Sequence, residues 1–234
     1  METYLSVNYS KLEDGEDDYP QKLCDYLIKT FFRKHCDIEN KKILDVGSGR
    51  GNHLISFARA GMQPVGLDKR SECIKARKDI KIVSCDIENH PFPFGDNSFD
   101  FVFSKSVCEH VSNTEGFFRE SSRVLKQGGL GLFMTPDWAS QSDHFWDDYT
   151  HVRPFTRKAL QNALRMNGFQ SVNCEYFLQL PFIWKFPALK FVASIISIAP
   201  QSWKWKNKEQ SQFRPLIRFS KEKMLIAVGI KSDE

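Results

Sequence analysis

A short apolar run that ends in a glycine-broken loop constrains the fold of this chain most. Residues 42–46, Lys-Ile-Leu-Asp-Val, lead directly into Gly47-Ser-Gly-Arg-Gly51, and a helix-like pattern follows over residues 53–60. This change of spacing across the glycines predicts a strand, a tight turn and a helix. Glycine has no Cβ and a helix N-terminus offers unpaired N–H groups, so a ligand could approach the backbone closely here.

Strand-like and helix-like segments alternate along the rest of the chain. The strand-like runs cover residues 64–68, 80–84, 99–103, 130–134, 171–178 and 224–230. The helix-like segments cover residues 19–35, 71–77, 114–126 and 156–166, the last with Thr156 as N-cap and Gly168 as stop. Such alternation predicts an α/β fold with a doubly wound, mostly parallel sheet that helices cover on both faces.

Composition narrows the class of protein further. The chain has 234 residues, a size suited to one α/β domain with an insertion, and it is 41% hydrophobic and 26% charged, as soluble globular proteins are. A net charge of +4 is too small an excess to predict nucleic-acid binding. The acidic residues 1–20 lack the basic flank and apolar run of a secretory signal, so we expect a cytoplasmic protein.

The six cysteines give no sign of a metal site or of disulfides. They are scattered, without a CxxC pair and without a His/Cys spacing suited to zinc. We therefore expect reduced thiols and no bound metal ion.

Two acidic residues lie at the carboxyl ends of the second and third predicted strands, as Gly47–Gly51 lies at the carboxyl end of the first. Asp68 ends the second strand and Asp86 follows the third. Because the carboxyl ends of parallel strands meet at one edge of a sheet, the loop and both acids are expected to border a single crevice. The glycines at 47, 49 and 51 do not fit the GxGxxG spacing of a dinucleotide site, which disfavours an NAD dehydrogenase.

Five ordered segments, residues 43–51, 65–68, 85–94, 98–102 and 123–129, resemble the motifs of class I S-adenosylmethionine (SAM)-dependent methyltransferases. The branch with ubiquinone and menaquinone C-methylases is the most similar. The resemblance implies a seven-stranded Rossmann-like sheet with an antiparallel last strand, and SAM as cofactor. This chain differs from the family in the apolar insertion before that strand.

The resemblance also implies a set of cofactor contacts. The glycine loop would face the methionine part of SAM, Asp68 would hold the ribose, Lys69 would flank the adenine, and Asp86 with Ile87 would meet the adenine amine. Ser104, after the fourth strand, would present its backbone to the methionine amino group. The full set is Asp45, Gly47, Ser48, Gly49, Gly51, Asp68, Lys69, Asp86, Ile87 and Ser104. Arg50 departs from the small or polar residue usual in this loop. Taken singly, Asp45 and Asp86 are also explained as helix caps or turn formers.

The loops that leave the later strands are expected to bind the methyl acceptor. His151 and His110 are candidate bases because imidazole titrates near neutral pH, and Asp148 could orient one of them. A structural, helix-capping role explains His110 equally well. Four further side chains could line the acceptor pocket: Trp138, Trp146, Tyr149 and Arg153. Residues 149–156 resemble a segment of methyltransferases associated with glycan and cell-surface polysaccharide synthesis.

A long apolar and basic insertion separates the last two strands. Its predicted helix places Leu189, Val192 and Ile196 on one side, and lysines interrupt the run too often for a membrane span of roughly 20 apolar residues. A lid over the acceptor pocket is the favoured interpretation. A dimer contact and a peripheral membrane contact through Trp203-Lys-Trp-Lys206 are the alternatives.

The predicted domain plan is one methyltransferase domain over 1–234. It comprises a flexible acidic start (1–19), a SAM-binding core (41–135), an acceptor-side loop, helix and strand (136–178), the insertion (179–220), and the last strand and tail (221–234). The predicted function is methyl transfer to a small-molecule or lipid-linked acceptor, with a saccharide hydroxyl as the leading case.

Two other functions stay open, and one is disfavoured. The alternatives are a quinone-type C-methylase and a catalytically inactive SAM-binding partner of a biosynthetic complex. Nucleic-acid methylation is disfavoured because Ser-Lys-Ser-Val-Cys, residues 104–108, replaces the Asn/Asp-Pro-Pro-aromatic segment of exocyclic-amine methylases. The sequence leaves the oligomeric state undetermined.

Overall fold

The computed structural model describes residues 18–69, 80–198 and 214–232, with side chains from residue 216 in the last range. Most of the predicted acidic N-terminus, the predicted helix at 71–77, Cys73 and the segment Trp203–Lys206 lie outside the described residues.

Seven strands form one mixed sheet, as the sequence predicts. They are β1 (Lys42–Val46), β2 (Gln63–Asp68), β3 (Ile82–Ser84), β4 (Phe99–Lys105), β5 (Leu125–Pro136), β6 (Phe169–Leu178) and β7 (Lys223–Lys231). Their order across the sheet is β3-β2-β1-β4-β5-β7-β6. Only β7 runs antiparallel to its neighbours, β5 and β6. The predicted α/β Rossmann-like class is therefore confirmed, including the antiparallel last strand.

Helices of the described residues flank this sheet. They are α1 (Tyr19–Leu27), α2 (Asn52–Arg59), α3 (Thr114–Val124), α4 (Trp138–Gln141), α5 (Arg157–Met166), α6 (Pro181–Lys185), α7 (Lys190–Ile196) and α8 (Arg214–Lys221). Side-chain caps fix three of the starts: Asn113 accepts from Gly116 N, Asp137 from Ser140 N, and Thr156 from Ala159 N. Each cap satisfies an N–H group that the helix itself leaves unpaired.

Both faces of the sheet are buried because the central strands are apolar on both sides. One face packs α3 and α5 against the strands through Leu44, Val102, Phe133, Phe118 and Leu160. The other packs the lead-in helix and α2 through Ile43, Phe101, Leu132, Phe32 and Phe57. The polar residues at the ends of the strands therefore lie outside the two apolar clusters, where a binding site can form.

Some predicted boundaries were wrong. β4 continues to Lys105, so Ser104 lies inside the strand and not after it. β5 begins at Leu125, five residues before its predicted start, because the chain leaves α3 directly in extended backbone. The lead-in helix changes to π-helix over Ile28–Phe32 before a final turn at Arg33–His35.

The insertion is helical, and two of its three predicted covered residues, Leu189 and Ile196, are partly buried. Leu189 packs against the cluster that contains Ala193. Val192, also predicted on the covered side, is 43% exposed. Trp184 of α6 stacks on Phe177 of β6, with ring centroids 5.2 Å apart. No helix within the described ranges is long and apolar enough to cross a bilayer.

Candidate cofactor and acceptor site

The loop after β1 is held by backbone hydrogen bonds that require its glycines. Gly47 N donates to Leu67 O at 2.7 Å, and Gly51 N donates to Ser48 O at 2.9 Å. Gly47, Gly49 and Gly51 have φ of +76°, +52° and +78°, a region that glycine adopts without steric cost. A Cβ at Gly47 would collide with Val107, whereas a Cβ at Gly49 would meet none of the described residues within 4 Å. The loop therefore leaves open space above Gly49.

Asp68 closes this loop at the tip of β2. Its Oδ2 accepts from Gly49 N at 2.9 Å, so the predicted pair of loop and acid is joined directly. Asp68 pairs in register with Ser84 of β3, two residues before Asp86. Gly49, Asp68 and Asp86 therefore follow adjacent strand tips at the same edge of the sheet.

Asp86 forms a turn at this edge. Its Oδ1 accepts from Glu88 N at 3.2 Å and its Oδ2 from the Asn89 side chain at 2.9 Å. The Asn89 hydrogen bond is the main cause of its lowered pKa. This is the turn-forming role that the sequence also allowed, yet a carboxylate oxygen can accept a second hydrogen bond. Lys69 is exposed and Ile87 is partly buried beside this turn.

Asp45 presents a buried carboxyl beneath the loop. It is 1% exposed, and its Oδ2 has no hydrogen-bond partner among the described residues. Burial raises the pKa of Asp45 to about 8, with a smaller contribution from the Asp68 charge. Burial also lowers the pKa of His53, 4.0 Å away, to about 3. At neutral pH both groups are mainly uncharged, so their contact is not an ion pair.

These features fit SAM as the ligand of the loop. The amino group of its methionine part is a cation that could pair with Asp45 Oδ2, and the ligand could occupy the space above Gly49. Ser48 Oγ is also buried without a hydrogen-bond partner in the described structure. Ser104 Oγ donates to Val46 O at 2.8 Å, which ties the ends of β4 and β1 together below the loop.

Lys105, the last residue of β4, links the cofactor side to the acceptor side. Burial lowers its pKa, while the charges of Glu109 and Asp45 act in the opposite direction. Its ammonium group therefore interacts electrostatically with both acids. Neither Lys105 nor Glu109 is among the predicted site residues. Lys105 ends β4 and Glu109 precedes His110 in the chain, but no local pattern marks either side chain as buried.

Glu109 is the buried centre of the acceptor side. It is 1% exposed, and its Oε2 accepts from Thr135 Oγ1 at 2.9 Å. Its carbonyl oxygen accepts from Val152 N at 2.8 Å and from Arg153 N at 3.0 Å. Burial raises the pKa of the Glu109 carboxyl to about 7. Glu109 thus joins the loop after β4 to β5 and to the segment before α5.

His110 and His151 lie side by side next to Glu109, with ring centroids 4.7 Å apart. His151 Nδ1 is 2.6 Å from Phe145 O, and a carbonyl can only accept, so Nδ1 carries the proton. Thr150 Oγ1 donates to Asp148 Oδ1 at 2.6 Å and lies 2.9 Å from His110 Nδ1. Because the Thr150 hydroxyl already donates its proton to Asp148, it can only accept from His110, so Nδ1 of His110 also carries a proton. In each neutral ring the lone pair is therefore on Nε2, and Asp148 contacts His110 through Thr150.

The four predicted pocket residues differ in how they are placed. Trp138 packs against Phe145 and Trp146, with ring centroids 5.4 and 6.0 Å away. Trp146 is 53% exposed and Tyr149 is 86% exposed, so neither is enclosed in a pocket of the described structure. Arg153 has an exposed side chain and contributes its backbone N–H to Glu109.

Comparison with known proteins indicates a methyltransferase domain. Residues 44–133 match the family described as "Methyltransferase domain". The chain is 31% identical over 144 residues to the biotin biosynthesis bifunctional protein BioHC of Cellvibrio japonicus, covering 57% of this chain and 28% of that protein. It is 31% identical over 93 residues to a demethylmenaquinone methyltransferase of Tropheryma whipplei (strain Twist), covering 38% and 39%. The chain thus spans less than half the length of these curated relatives.

A solved structure is similar over nearly the whole chain. It is the complex between the Haloferax volcanii Trm112 methyltransferase activator and a methyltransferase, with 18% identity, a TM-score of 0.69, and coverage of 94% of this chain and 92% of the other. At this identity the likeness shows the fold. Residues 44–133 thus match a methyltransferase domain, and the sheet order around them is consistent with a methyltransferase that uses SAM as methyl donor.

Proposed function

We propose that this chain transfers a methyl group from SAM to an oxygen of a small-molecule acceptor, with a saccharide hydroxyl, free or lipid-linked, as the leading case. One observation carries the proposal. Glu109, His110 and His151 form a cluster of proton-accepting groups, and Val107 of the same loop lies against Gly47 of the cofactor loop. Oxygen acceptors need such a group because a hydroxyl must lose its proton during methyl transfer.

The residues at the strand tips would hold the cofactor. Gly47, Gly49 and Gly51 leave room for the methionine part, and Asp45 offers a buried carboxylate for its ammonium group. Asp68 would accept hydrogen bonds from the ribose hydroxyls, and Asp86 would accept one from the adenine amine. Bound SAM supplies an electrophilic methyl carbon on a sulfonium.

The acceptor cluster would position the nucleophile and remove its proton. In-line displacement depends on alignment of the attacking oxygen and on exclusion of water. The lone pair on His151 Nε2 can accept the hydroxyl proton because Phe145 O holds the other ring nitrogen protonated. Trp138 and Trp146 offer ring faces against which a sugar or ring can stack.

The helices of the insertion would cover the acceptor side. Glu222, just after α8, is 3% exposed, and its Oε1 lies 3.2 Å from His144 Nε2 of the acceptor segment. Lys221 Nζ donates to Ser197 O at 2.6 Å, which ties α8 to the end of α7. Exposed apolar side chains of α7, including Phe191 at 71%, also offer a surface for a lipid-linked acceptor.

The proposal is tested by an acceptor screen that detects adenosylhomocysteine release. Mass spectrometry and NMR of the product then identify the methylated atom, and O-methylation of a saccharide is the expected result. A methyl group on the ring carbon of a quinone precursor would instead support the C-methylase alternative, which the similarity to a demethylmenaquinone methyltransferase favours. Adenosylhomocysteine binding without transfer to any acceptor tested would support the inactive-partner alternative. If the insertion contacts membranes, the protein should sediment with anionic vesicles at low salt. If the insertion is only a lid, the protein should stay in the supernatant.

A further inference from the structure

Three side chains of the acceptor cluster have the composition of a metal site. One oxygen of Glu109 and one ring nitrogen each of His110 and His151 lie within 4.8 Å of one another. Among the described residues this is the one group of three or more His, Cys, Asp or Glu side chains close enough to share an ion. Its members come from the 3-10 turn after β4 and from the segment before α5, so the sequence spacing gives no zinc-like pattern.

We propose that Glu109, His110 and His151 bind a divalent transition-metal ion that holds the oxygen of the methyl acceptor. The chemical class follows from the ligands. Two imidazoles and one carboxylate suit Zn²⁺, Mn²⁺, Fe²⁺ or Co²⁺, whereas Mg²⁺ and Ca²⁺ prefer sites made of oxygen ligands alone. Three protein ligands leave further coordination positions open to water or substrate, as in catalytic rather than structural metal sites.

The contacts around the three ligands support this assignment. Ligating histidines commonly donate their other N–H to a carbonyl or carboxylate, which fixes the tautomer and the ring orientation. His151 donates to Phe145 O, and His110 contacts Thr150, whose hydroxyl donates to Asp148. Both rings therefore carry the lone pair on Nε2. The remaining ligand, Glu109, is oriented by Thr135 Oγ1.

The distances and charges are compatible with an ion after a small adjustment. Ligand atoms of a tetrahedral site with bonds of about 2.1 Å are separated by about 3.4 Å. The three ligand atoms lie within 4.8 Å of one another, so they would have to approach by at most about 1.4 Å (4.8 − 3.4). Lys105 and Asp148 both influence Glu109 electrostatically. The charges of these two side chains are opposite in sign.

A metal ion would change the chemistry of the proposed O-methylation, and this inference rests on that proposed function. A hydroxyl bound to the ion has a lowered pKa and would lose its proton to solvent. The oxygen–carbon bond then forms as the sulfur–carbon bond breaks, with the electron pair of the latter staying on sulfur. With the ion bound, His110 and His151 would be its ligands, and the proton that His151 accepts in the metal-free scheme would go to solvent instead. Acceptors with two neighbouring oxygens would be preferred because both can bind the ion.

The test is a metal titration of the tag-free, chelator-stripped full chain without SAM. Co²⁺ is the probe, followed by visible absorption and by calorimetry, with Zn²⁺ as competitor. We expect one equivalent of Co²⁺, displaced by Zn²⁺. Glu109→Gln and His151→Ala should weaken binding at least tenfold, and the exposed His90→Ala should leave it unchanged.

Thr150→Val provides a variant that keeps all three ligands. It removes the hydroxyl beside His110 Nδ1 and should weaken Co²⁺ binding by about tenfold, as loss of a ligand-orienting contact does. Equal weak binding by the wild type, His151→Ala and His90→Ala would overturn the inference. Adenosylhomocysteine binding is measured in the same stripped samples. If it persists while Co²⁺ binding is absent, only the metal inference fails; if only Co²⁺ binds, the proposed function fails instead.

Discussion

The cofactor side and the acceptor side of this molecule are built from contacts of different range. Asp68 and Gly49, which meet on the cofactor side, are 19 residues apart and belong to one strand-turn-helix-strand unit. On the acceptor side, Thr150 and His110 are 40 residues apart, and Gln141 reaches Lys223 across 82 residues. A local unit can fix a cofactor loop by itself, whereas the acceptor side forms only when several distant segments assemble. Substitutions on the cofactor side should therefore change cofactor affinity, and substitutions on the acceptor side should change turnover.

The largest effect on cofactor affinity is expected for Asp68→Ala. This variant removes the partner of Gly49 N and the proposed acceptor for the ribose hydroxyls. Hydrogen bonds to charged groups contribute about 1.5–3 kcal/mol each, so the Kd for adenosylhomocysteine should rise at least ~100-fold. Calorimetry measures this change. Glu115→Gln, an exposed acid of α3, is the control, and an equal Kd for Asp68→Ala and that control would contradict the assignment.

His151→Ala should show the opposite pattern. Loss of a base or metal ligand lowers kcat by about 10²–10⁴-fold, while the Kd for adenosylhomocysteine should stay within about twofold because the cofactor loop is untouched. Steady-state kinetics with the identified acceptor and calorimetry on the same sample measure both quantities. Unchanged turnover would remove His151 from the mechanism, and weaker cofactor binding would undo the separation of the two sides.

A matched pair of glycine variants tests whether the cofactor fills the space above the loop. Gly49 and Gly128 both have positive φ, and at both a Cβ would meet no atom of the described ranges within 4 Å. Alanine should therefore destabilise the fold by a similar amount at each site, about 1–2 kcal/mol in urea unfolding. Only Gly49→Ala should also weaken adenosylhomocysteine binding, by roughly 10–100-fold if a displaced ligand loses about 1.4–2.8 kcal/mol. Equal affinities for the two variants would place the cofactor elsewhere.

A further comparison concerns the pH dependence of the free energy of unfolding. The pKa of Asp45 is raised in the folded state to about 8, so the folded chain holds a proton that the unfolded chain releases. This contribution to the free energy of unfolding is complete below pH 4 and is lost as pH rises from about 4 to 8. Asp45→Asn should remove it, which changes the slope by up to about 1.4 kcal/mol per pH unit. Urea unfolding of both proteins at pH 5 to 8 measures the difference, and identical slopes would show that Asp45 is ionised in the folded chain.

The same residue should couple cofactor binding to proton release. The ammonium group of the ligand favours the ionised carboxylate, so binding near pH 7 should release a proton from Asp45. Calorimetry in two buffers of different ionisation enthalpy detects this release, which Asp45→Asn should abolish. Equal apparent enthalpies in both buffers for the wild type would show that the ammonium does not meet Asp45.

The sequence predicted the cofactor side better than the acceptor side for a physical reason. The positive-φ glycines and the acids after β2 and β3 are local signals, and the structure places them at adjacent strand tips. Glu109 carries no such signal, because its burial depends on Thr135 and on the backbone of Val152. The helix α8 was not predicted, and Ser104 was placed outside a strand that contains it.

The insertion illustrates the same limit. Of the predicted face, Leu189 and Ile196 are partly buried but Val192 is exposed, and α7 buries Ala193, which was not predicted. A small residue lies at the contact because α8, far along the chain, packs closely there through Leu216 and Phe219. Periodicity in one segment cannot reveal which partner helix it meets.

The most direct test of this account is a calorimetric titration of the well-folded wild-type chain with adenosylhomocysteine at pH 7. We expect one binding site per chain, with an affinity that falls in Gly49→Ala and not in Gly128→Ala. Absence of binding, or equal binding by both glycine variants, would contradict the claim that the tips of β1, β2 and β3 form the nucleoside site.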